Sequence, residues 1–285
     1  MSVWAVFACL CCGVVSAAPG DLDPTFGMGG KLSLALPSFT LTSATAAAIQ
    51  PDGKIVVAGQ CMTNASPFAV FCVTRLHSNG TVDSSFSDGK THGYTVSSVD
   101  SIDAQANAAV IDPLGRIVVG GRCSNGGGYG KFCLVRFTSA GMLDLTFNAP
   151  VSPGLAILEI GAGDAALHSL INAENGATVA VGACMNSAYV FQTCLAKFKA
   201  DGTLDATFGG GGTYIGTDAR GATLAAAATQ SDGRIVAAGS CMSDTGYSQL
   251  CVTRFSANGA MERCRFGVGW CFFHILGLQI RDVHL

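Results

Sequence analysis

The feature that most constrains this chain is an internal repeat, present four times with a period near sixty residues. One tight turn recurs as Pro51-Asp52-Gly53, Pro113-Leu114-Gly115, Glu174-Asn175-Gly176 and Ser231-Asp232-Gly233, spaced 62, 61 and 57 residues apart. A second recurs as Asn79-Gly80, Ala140-Gly141, Asp201-Gly202 and Asn258-Gly259, spaced 61, 61 and 57. Two separate turns that keep the same period define one supersecondary unit copied four times. Such units bury their apolar faces by stacking on one another.

The segments between the turns read as strands. Lys54-Ile55-Val56-Val57-Ala58-Gly59 is matched by Arg116 to Gly121, Ala177 to Gly182 and Arg234 to Gly239. Asn-Gly and Asp-Gly supply the positive φ that two-residue hairpins demand. The Ala-rich segments before the first turn, such as 44–50 and 222–230, have helical propensity, but their place between repeating turns predicts a strand. Each unit is therefore expected to run as strand A, tight turn, strand B, longer connection, strand C, tight turn and strand D. Strand C is the stretch from Phe71 to Leu76 and its copies, and a Leu-Asp-x-Thr-Phe signature leads into D (Leu143 to Phe147, Leu204 to Phe208, and more loosely Val82 to Phe86). Four strands per copy is the content of a propeller blade.

The predicted fold is all-β: a four-bladed β-propeller-like domain of four-stranded antiparallel units, with a fragment of a larger propeller as the alternative. Charged residues make up only 12% of the chain and Gly numbers 37, which suits many short strands and turns. The segment Leu22-Asp23-Pro24-Thr25-Phe26-Gly27 carries the D signature with no A, B or C before it. The fourth copy, conversely, lacks a good D signature after Gly259. These complementary ends predict that the N-terminal segment completes the last blade and closes the ring.

The N-terminus has an apolar run from Val3 to Val15 followed by Ser16-Ala17-Ala18. That pattern predicts a signal peptide over residues 1–17, too short to span a bilayer. Residues 18–260 form the repeat domain and 261–285 a divergent tail. Export leads to a secreted, periplasmic or cell-surface location. Thirteen cysteines occur, and eight fall in evenly placed pairs: Cys61 with Cys72, Cys123 with Cys133, Cys184 with Cys194, and Cys241 with Cys251. Each pair brackets a B–C connection, and such regularity in an exported chain predicts four hairpin disulfides.

The residues Leu22 to Gly30, together with Gln50-Pro51-Asp52-Gly53-Lys54-Ile55-Val56-Val57-Ala58-Gly59, resemble the delta-60 repeat family of bacterial exported proteins. The resemblance covers roughly residues 21 to 260. It implies a β-propeller-like domain at or outside the cell surface, with no established enzymatic activity or common ligand. The chain departs from that pattern in its B–C cysteine pairs and in the sequence from Met261, where Met261-Glu262-Arg263-Cys264-Arg265-Phe266-Gly267 replaces the expected Leu-Asp-Pro-Thr-Phe-Gly.

Little in the chain points to catalysis. Gly89-Lys90-Thr91 resembles the end of a phosphate-binding loop, yet Ser84 stands where the first Gly is needed and no helix is expected to follow. The cysteines lack the C-x-x-C spacing of zinc sites, and none of the five histidines joins a nucleophile motif. No cofactor or metal is expected. Asp23, Asp83, Asp144 and Asp205 recur and are read as accepting backbone N–H groups in the turn before strand D. Arg75, Arg136, Lys197 and Arg254 form a matching series that would pair with them, or receive an acidic ligand if aimed into a channel. A net charge of −3 with dispersed cations argues against nucleic acid.

Tyr129, Tyr189 and Tyr247 recur in the B–C connections, among Asn, Ser and Gly suited to adaptable hydrogen bonding. They are the candidate ligand-binding residues. The function expected is a non-enzymatic scaffold binding a glycan or protein partner through its loops. The alternative is a propeller hydrolase or lyase acting at a central channel.

Overall fold

The computed structural model describes residues 20–63, 66–98, 103–124 and 128–262. The expected signal peptide and nearly all of the divergent tail lie outside them. The first sheet is built from β1 (Leu41–Ile49), β2 (Ile55–Thr63), β3 (Ser66–Leu76) and β4 (Tyr94–Ser97), the second from β5 (Asp103–Ile111), β6 (Ile117–Ser124), β7 (Lys131–Phe137) and β8 (Leu155–Leu158). The third has β9 (Ala165–Asn172), β10 (Thr178–Met185), β11 (Phe191–Phe198) and β12 (Thr213–Ile215). The fourth has three strands, β13 (Ala222–Thr229), β14 (Ile235–Met242) and β15 (Ser248–Phe255). Each sheet is an antiparallel meander in chain order. The predicted all-β repeat architecture is the one observed, and the Ala-rich segments are strands, not helices.

Every inner strand carries a one-residue bulge at the same place. In β1, β5 and β13 the register slips between Ala44 and Ala46, Ala106 and Ala108, and Leu224 and Ala226. In the third sheet the slip leaves His168 as the extra residue. Opposite each bulge stands the last Gly of the strand B motif. A Cβ on Gly182 would lie 2.0 Å from the Ala166 carbonyl oxygen, and one on Gly59 only 1.7 Å from that of Ser43. These glycines exist because two backbones approach there more closely than any side chain permits.

The sheets pack in sequence, β1 on β5, β5 on β9 and β9 on β13. Three kinds of stitch join neighbours. The bulged side chain donates to the next inner strand: Thr45 Oγ1 to the Ala106 carbonyl at 2.5 Å, Asn107 Nδ2 to Leu167 at 2.8 Å and His168 Nδ1 to Leu224 at 2.7 Å. The signature Phe docks on the next copy's second turn, where the amide of the following residue donates across, as from Ser87 to the Ala140 carbonyl and from Asn148 to that of Asp201. Finally, Arg75 and Arg136 donate through Nη1 to the Ser139 and Ala200 carbonyls one sheet further on.

The signature itself is not a strand. It is a turn tied by single bridges, such as Phe137 to Leu143 and Phe198 to Leu204, and strand D starts several residues later. Among the described residues the fourth sheet keeps three strands, and no pairing joins the N-terminal copy to it. Gly27 N–H donates to the Asn79 carbonyl at 2.8 Å, so this segment docks on the first sheet, as Phe86 docks on the second. Leu36, with Leu34 and Phe39 beside it, then packs against Cys61 and Cys72. Strands β1 and β13 are both largely exposed, and among the described residues no strand pairing or core cluster joins the first sheet to the fourth.

Candidate functional site

Two ends of the array differ in chemistry. At the end carrying the tight turns, each signature Asp is consumed structurally. Asp83 Oδ1 accepts the amide and hydroxyl of Ser85, and Asp144 Oδ1 accepts those of Thr146. The other oxygen of each meets Arg75 Nε at 2.9 Å or Arg136 Nε at 2.7 Å. Those guanidinium groups lie over the Phe86 and Phe147 rings, 4.9 and 4.6 Å from the centroids. Lys197 repeats the arrangement with Asp205 at 3.5 Å.

Burial acts to raise the Asp83 and Asp144 pKa values. It is outweighed by the Ser85 or Thr146 hydroxyl, the turn amides and the paired cation, which hold both carboxyls below the ordinary range. Arg75–Asp83 and Arg136–Asp144 are thus buried ion pairs, as the turn-satisfying reading expects, while Lys197–Asp205 is partly buried and Arg254 pairs with Glu262 at the surface.

The other end carries the B–C connections. Each is pinched at its neck by a cysteine pair, Cys61–Cys72, Cys123–Cys133, Cys184–Cys194 and Cys241–Cys251, with Cα separations of 5.8, 5.9, 5.8 and 5.9 Å. These distances suit disulfides, and four of them point to an oxidising environment. In the third loop, Asn186 Oδ1 accepts the amides of Ala188 and Val190, and its carbonyl accepts that of Tyr189. This turn holds Tyr189 at a φ of 60° with the residue 70% exposed. In the fourth loop, Ser243 Oγ accepts the Tyr247 amide, and Tyr247 is likewise exposed.

Tyr129, in the second loop, is set by its neighbour. Gly130 N–H donates to Asp164 Oδ1 at 2.6 Å, and the same oxygen is held by Arg122 at 2.8 Å. The Tyr129 and Tyr189 side chains meet. The charge that a Tyr189 phenolate would place beside it, together with the hydrogen bond between the two, raises the Tyr129 pKa above the ordinary phenol value. Two of the three predicted tyrosines therefore come together from adjacent sheets. No contact among the described residues joins Tyr247 to them. Around the pair, Lys131 reaches Glu159 at 2.5 Å, and Arg220 pairs with Asp244 in the next loop.

Other candidates have structural explanations. At Gly89-Lys90-Thr91, Asp88 Oδ1 already accepts the Lys90 and Thr91 amides that a phosphate would need. His168 serves the bulge stitch. Among the described residues no cluster of three or more His, Cys, Asp or Glu could hold a metal, and no helix is long and apolar enough to cross a membrane. A groove of about 620 Å³ lies between residues 26–36 and the open face of the first sheet. The stitches between sheets were not anticipated, although polar Thr45, Asn107 and His168 at one repeat position were their signal.

Among solved structures, a protein of unknown function from Dyadobacter fermentans is similar at 13% identity, over 77% of this chain and 67% of that one, with a TM-score of 0.46. A mannose phosphorylase from Leishmania mexicana matches at 10% identity over 76% and 69%, with a TM-score of 0.39. An endo-arabinanase from Bacillus licheniformis matches at 11% over 74% and 73%, at 0.34. Comparison with curated proteins found no match. The model of the β-propeller domain of unknown function DUF5122 matches four times, at residues 50–86, 115–147, 175–208 and 230–262. The first three matches run from the A–B turn through strands B and C to the signature Phe, and the fourth runs likewise to Glu262. With four copies in register with its four sheets, the chain belongs to this β-propeller repeat family.

Proposed function

We propose that the chain is a secreted or cell-surface, non-enzymatic scaffold that binds a glycan or protein partner through its B–C loops. The observation carrying this reading is the Tyr129–Tyr189 pair, two exposed rings from neighbouring sheets, set by turn hydrogen bonds above disulfide-closed necks. Tyr offers large amphipathic contact area at low conformational cost. The adjoining Arg122–Asp164 and Lys131–Glu159 pairs add polar groups at the rim. The charged residues at the opposite end are occupied by one another, which leaves the loop end as the face with chemistry to spare.

The test is an extracellular glycan array, together with capture of surface proteins, probed with the wild-type chain and with Tyr129→Ala/Tyr189→Ala. Both tyrosines are exposed, so the variant keeps its fold. The expected result is selective binding that the variant loses, with the ligand recovered unaltered. Chemical turnover of a bound glycan, or binding indifferent to both tyrosines, would overturn the proposal.

A further inference from the structure

Each of the four disulfides lies within one sheet, between strands B and C of the same copy. From one sheet to the next, the described residues are joined by packing and by hydrogen bonds such as that from Asn107 Nδ2 to the Leu167 carbonyl. At one place, however, two side chains able to form a covalent bond between sheets are already in contact. A hydrogen bond joins the phenol groups of Tyr129, on the B–C loop of the second sheet, and Tyr189, on that of the third.

Oxidative coupling of tyrosines requires access to an oxidant and a second phenol within reach, and the five tyrosines of the chain differ in both. Tyr94 is half-buried, with its ring edge-on to Phe39 at a centroid distance of 6.2 Å. Tyr214 is also half-buried, and its hydroxyl donates to Met261 Sδ at 3.0 Å. Tyr247 is 73% exposed, but no contact among the described residues brings another tyrosine to it. Tyr129 and Tyr189, 53% and 70% exposed, satisfy both requirements. Their backbones are held in place. Gly130 N–H donates to Asp164 Oδ1, which Arg122 also holds, and Asn186 Oδ1 accepts the Ala188 and Val190 amides. The exposed rings are left free to turn about a fixed separation.

We propose that Tyr129 and Tyr189 form an oxidative cross-linking site, at which a haem peroxidase with hydrogen peroxide ties the second sheet to the third through a dityrosine bond. Each phenol gives up one electron and its hydroxyl proton, becoming a phenoxyl radical whose unpaired spin is shared with the ring carbons ortho to oxygen. The two radicals couple, and one carbon–carbon bond forms between an ortho carbon of each ring. Each of those carbons then loses its hydrogen as a proton while the phenol oxygen regains one, which restores both aromatic rings and both hydroxyls. The net change is the loss of two ring C–H bonds; the two electrons and two protons reduce one peroxide to two waters. Because the hydroxyls touch, a turn of the rings brings the neighbouring ortho carbons together. Tethered groups of this kind meet at an effective concentration of about millimolar or more, so at micromolar protein the bond within a chain forms about a thousandfold faster than one between chains. The four disulfides, which point to an oxidising environment, are consistent with such chemistry. The cross-link requires no bound partner and is independent of the binding role of the loops.

The test exposes the purified full chain, at micromolar concentration with its disulfides intact, to a haem peroxidase and hydrogen peroxide. Dityrosine fluorescence is expected in the fraction that runs as a single chain on a denaturing gel. Mass spectrometry of its digest is expected to find the peptides bearing Tyr129 and Tyr189 joined, lighter by two hydrogens than their sum. Tyr129→Phe and Tyr189→Phe keep the ring but lose the hydroxyl from which the radical forms. Each is expected to lower the single-chain fluorescence by about an order of magnitude or more with the circular dichroism spectrum unchanged, whereas Tyr247→Phe matches the wild type. Dityrosine found chiefly between chains, or formed equally well in Tyr129→Phe, would overturn the proposal. So would the absence of product from the wild-type chain under conditions that couple free tyrosine.

Discussion

Replacing Arg136 by Met tests how the sheets are held together. Arg136 is 2% exposed and makes four contacts: Nε to Asp144, Nη2 to Thr146 Oγ1 at 3.1 Å, Nη1 to the Ala200 carbonyl of the next sheet, and its face against Phe147. Met keeps much of the volume but leaves the Asp144 carboxylate and the Ala200 carbonyl without this donor. Removing one member of a buried pair costs about 3–5 kcal/mol. Arg116 lies 3.6 Å from Asp144 and takes up part of the charge, so the expected loss is at the lower end, about 3 kcal/mol. The same change at Arg254, whose ion pair with Glu262 is exposed, is expected to cost under about 1 kcal/mol. The assay is guanidinium unfolding with the disulfides intact. Arg136→Met/Asp144→Asn should regain most of the loss, because no charge is then stranded and an amide oxygen still accepts from Thr146. Equal costs at the two arginines, or no recovery in the double variant, would refute the reasoning.

Four further outcomes are expected. Gly182→Ala drives a Cβ against the Ala166 carbonyl and should destabilise by at least about 1–3 kcal/mol, whereas Gly210→Ala, where a Cβ would meet only the Thr213 carbonyl oxygen at 3.9 Å, should be far milder; thermal melts compare the two. Reducing the four bridges, each spanning 10 or 11 residues, should cost roughly 3 kcal/mol apiece in the chain-entropy description, read as a lower denaturant midpoint in the presence of a reductant. The lowered carboxyl pKa values of Asp83 and Asp144 mean that their stabilisation is fully present above about pH 4, where the unfolded carboxylates are ionised, and is lost as pH falls through the folded values. Unfolding free energy should therefore hold at neutral pH and drop in acid, with a shallower drop in Asp144→Asn. Finally, Thr45→Val should loosen the first junction by about 1 kcal/mol, the value of one hydrogen bond, with hydrogen exchange rising at its acceptor strand β5.

Much of the fold was legible because tight turns leave residue-level marks. Gly53, Gly80 and their copies sit at positive φ as the hairpin reading requires, and the cysteine pairs flank the loops that they close. The Ala-rich strands were legible only through the period, since their composition alone favours helix. The segment Leu22 to Gly27 was legible as a copy of the signature, but the strand that pairs with it was not, because the sequence marks the turn and not its partner; like Phe86 and Phe147, its Phe26 docks on the sheet ahead. At the candidate site, recurrence identified all three tyrosines, but contact depends on loop conformation. The left-handed turn at Tyr189 brings its ring to Tyr129, while Tyr247 sits in a different turn built on Ser243.

The central claim is a chain of like sheets, each with its B–C loop fixed at the neck by its own disulfide. Mapping disulfides by mass spectrometry on the purified protein under non-reducing conditions tests it most directly. The account predicts four bridges, 61 to 72, 123 to 133, 184 to 194 and 241 to 251, all oxidised. Bridges between different repeats, or free thiols at these eight positions, would contradict it.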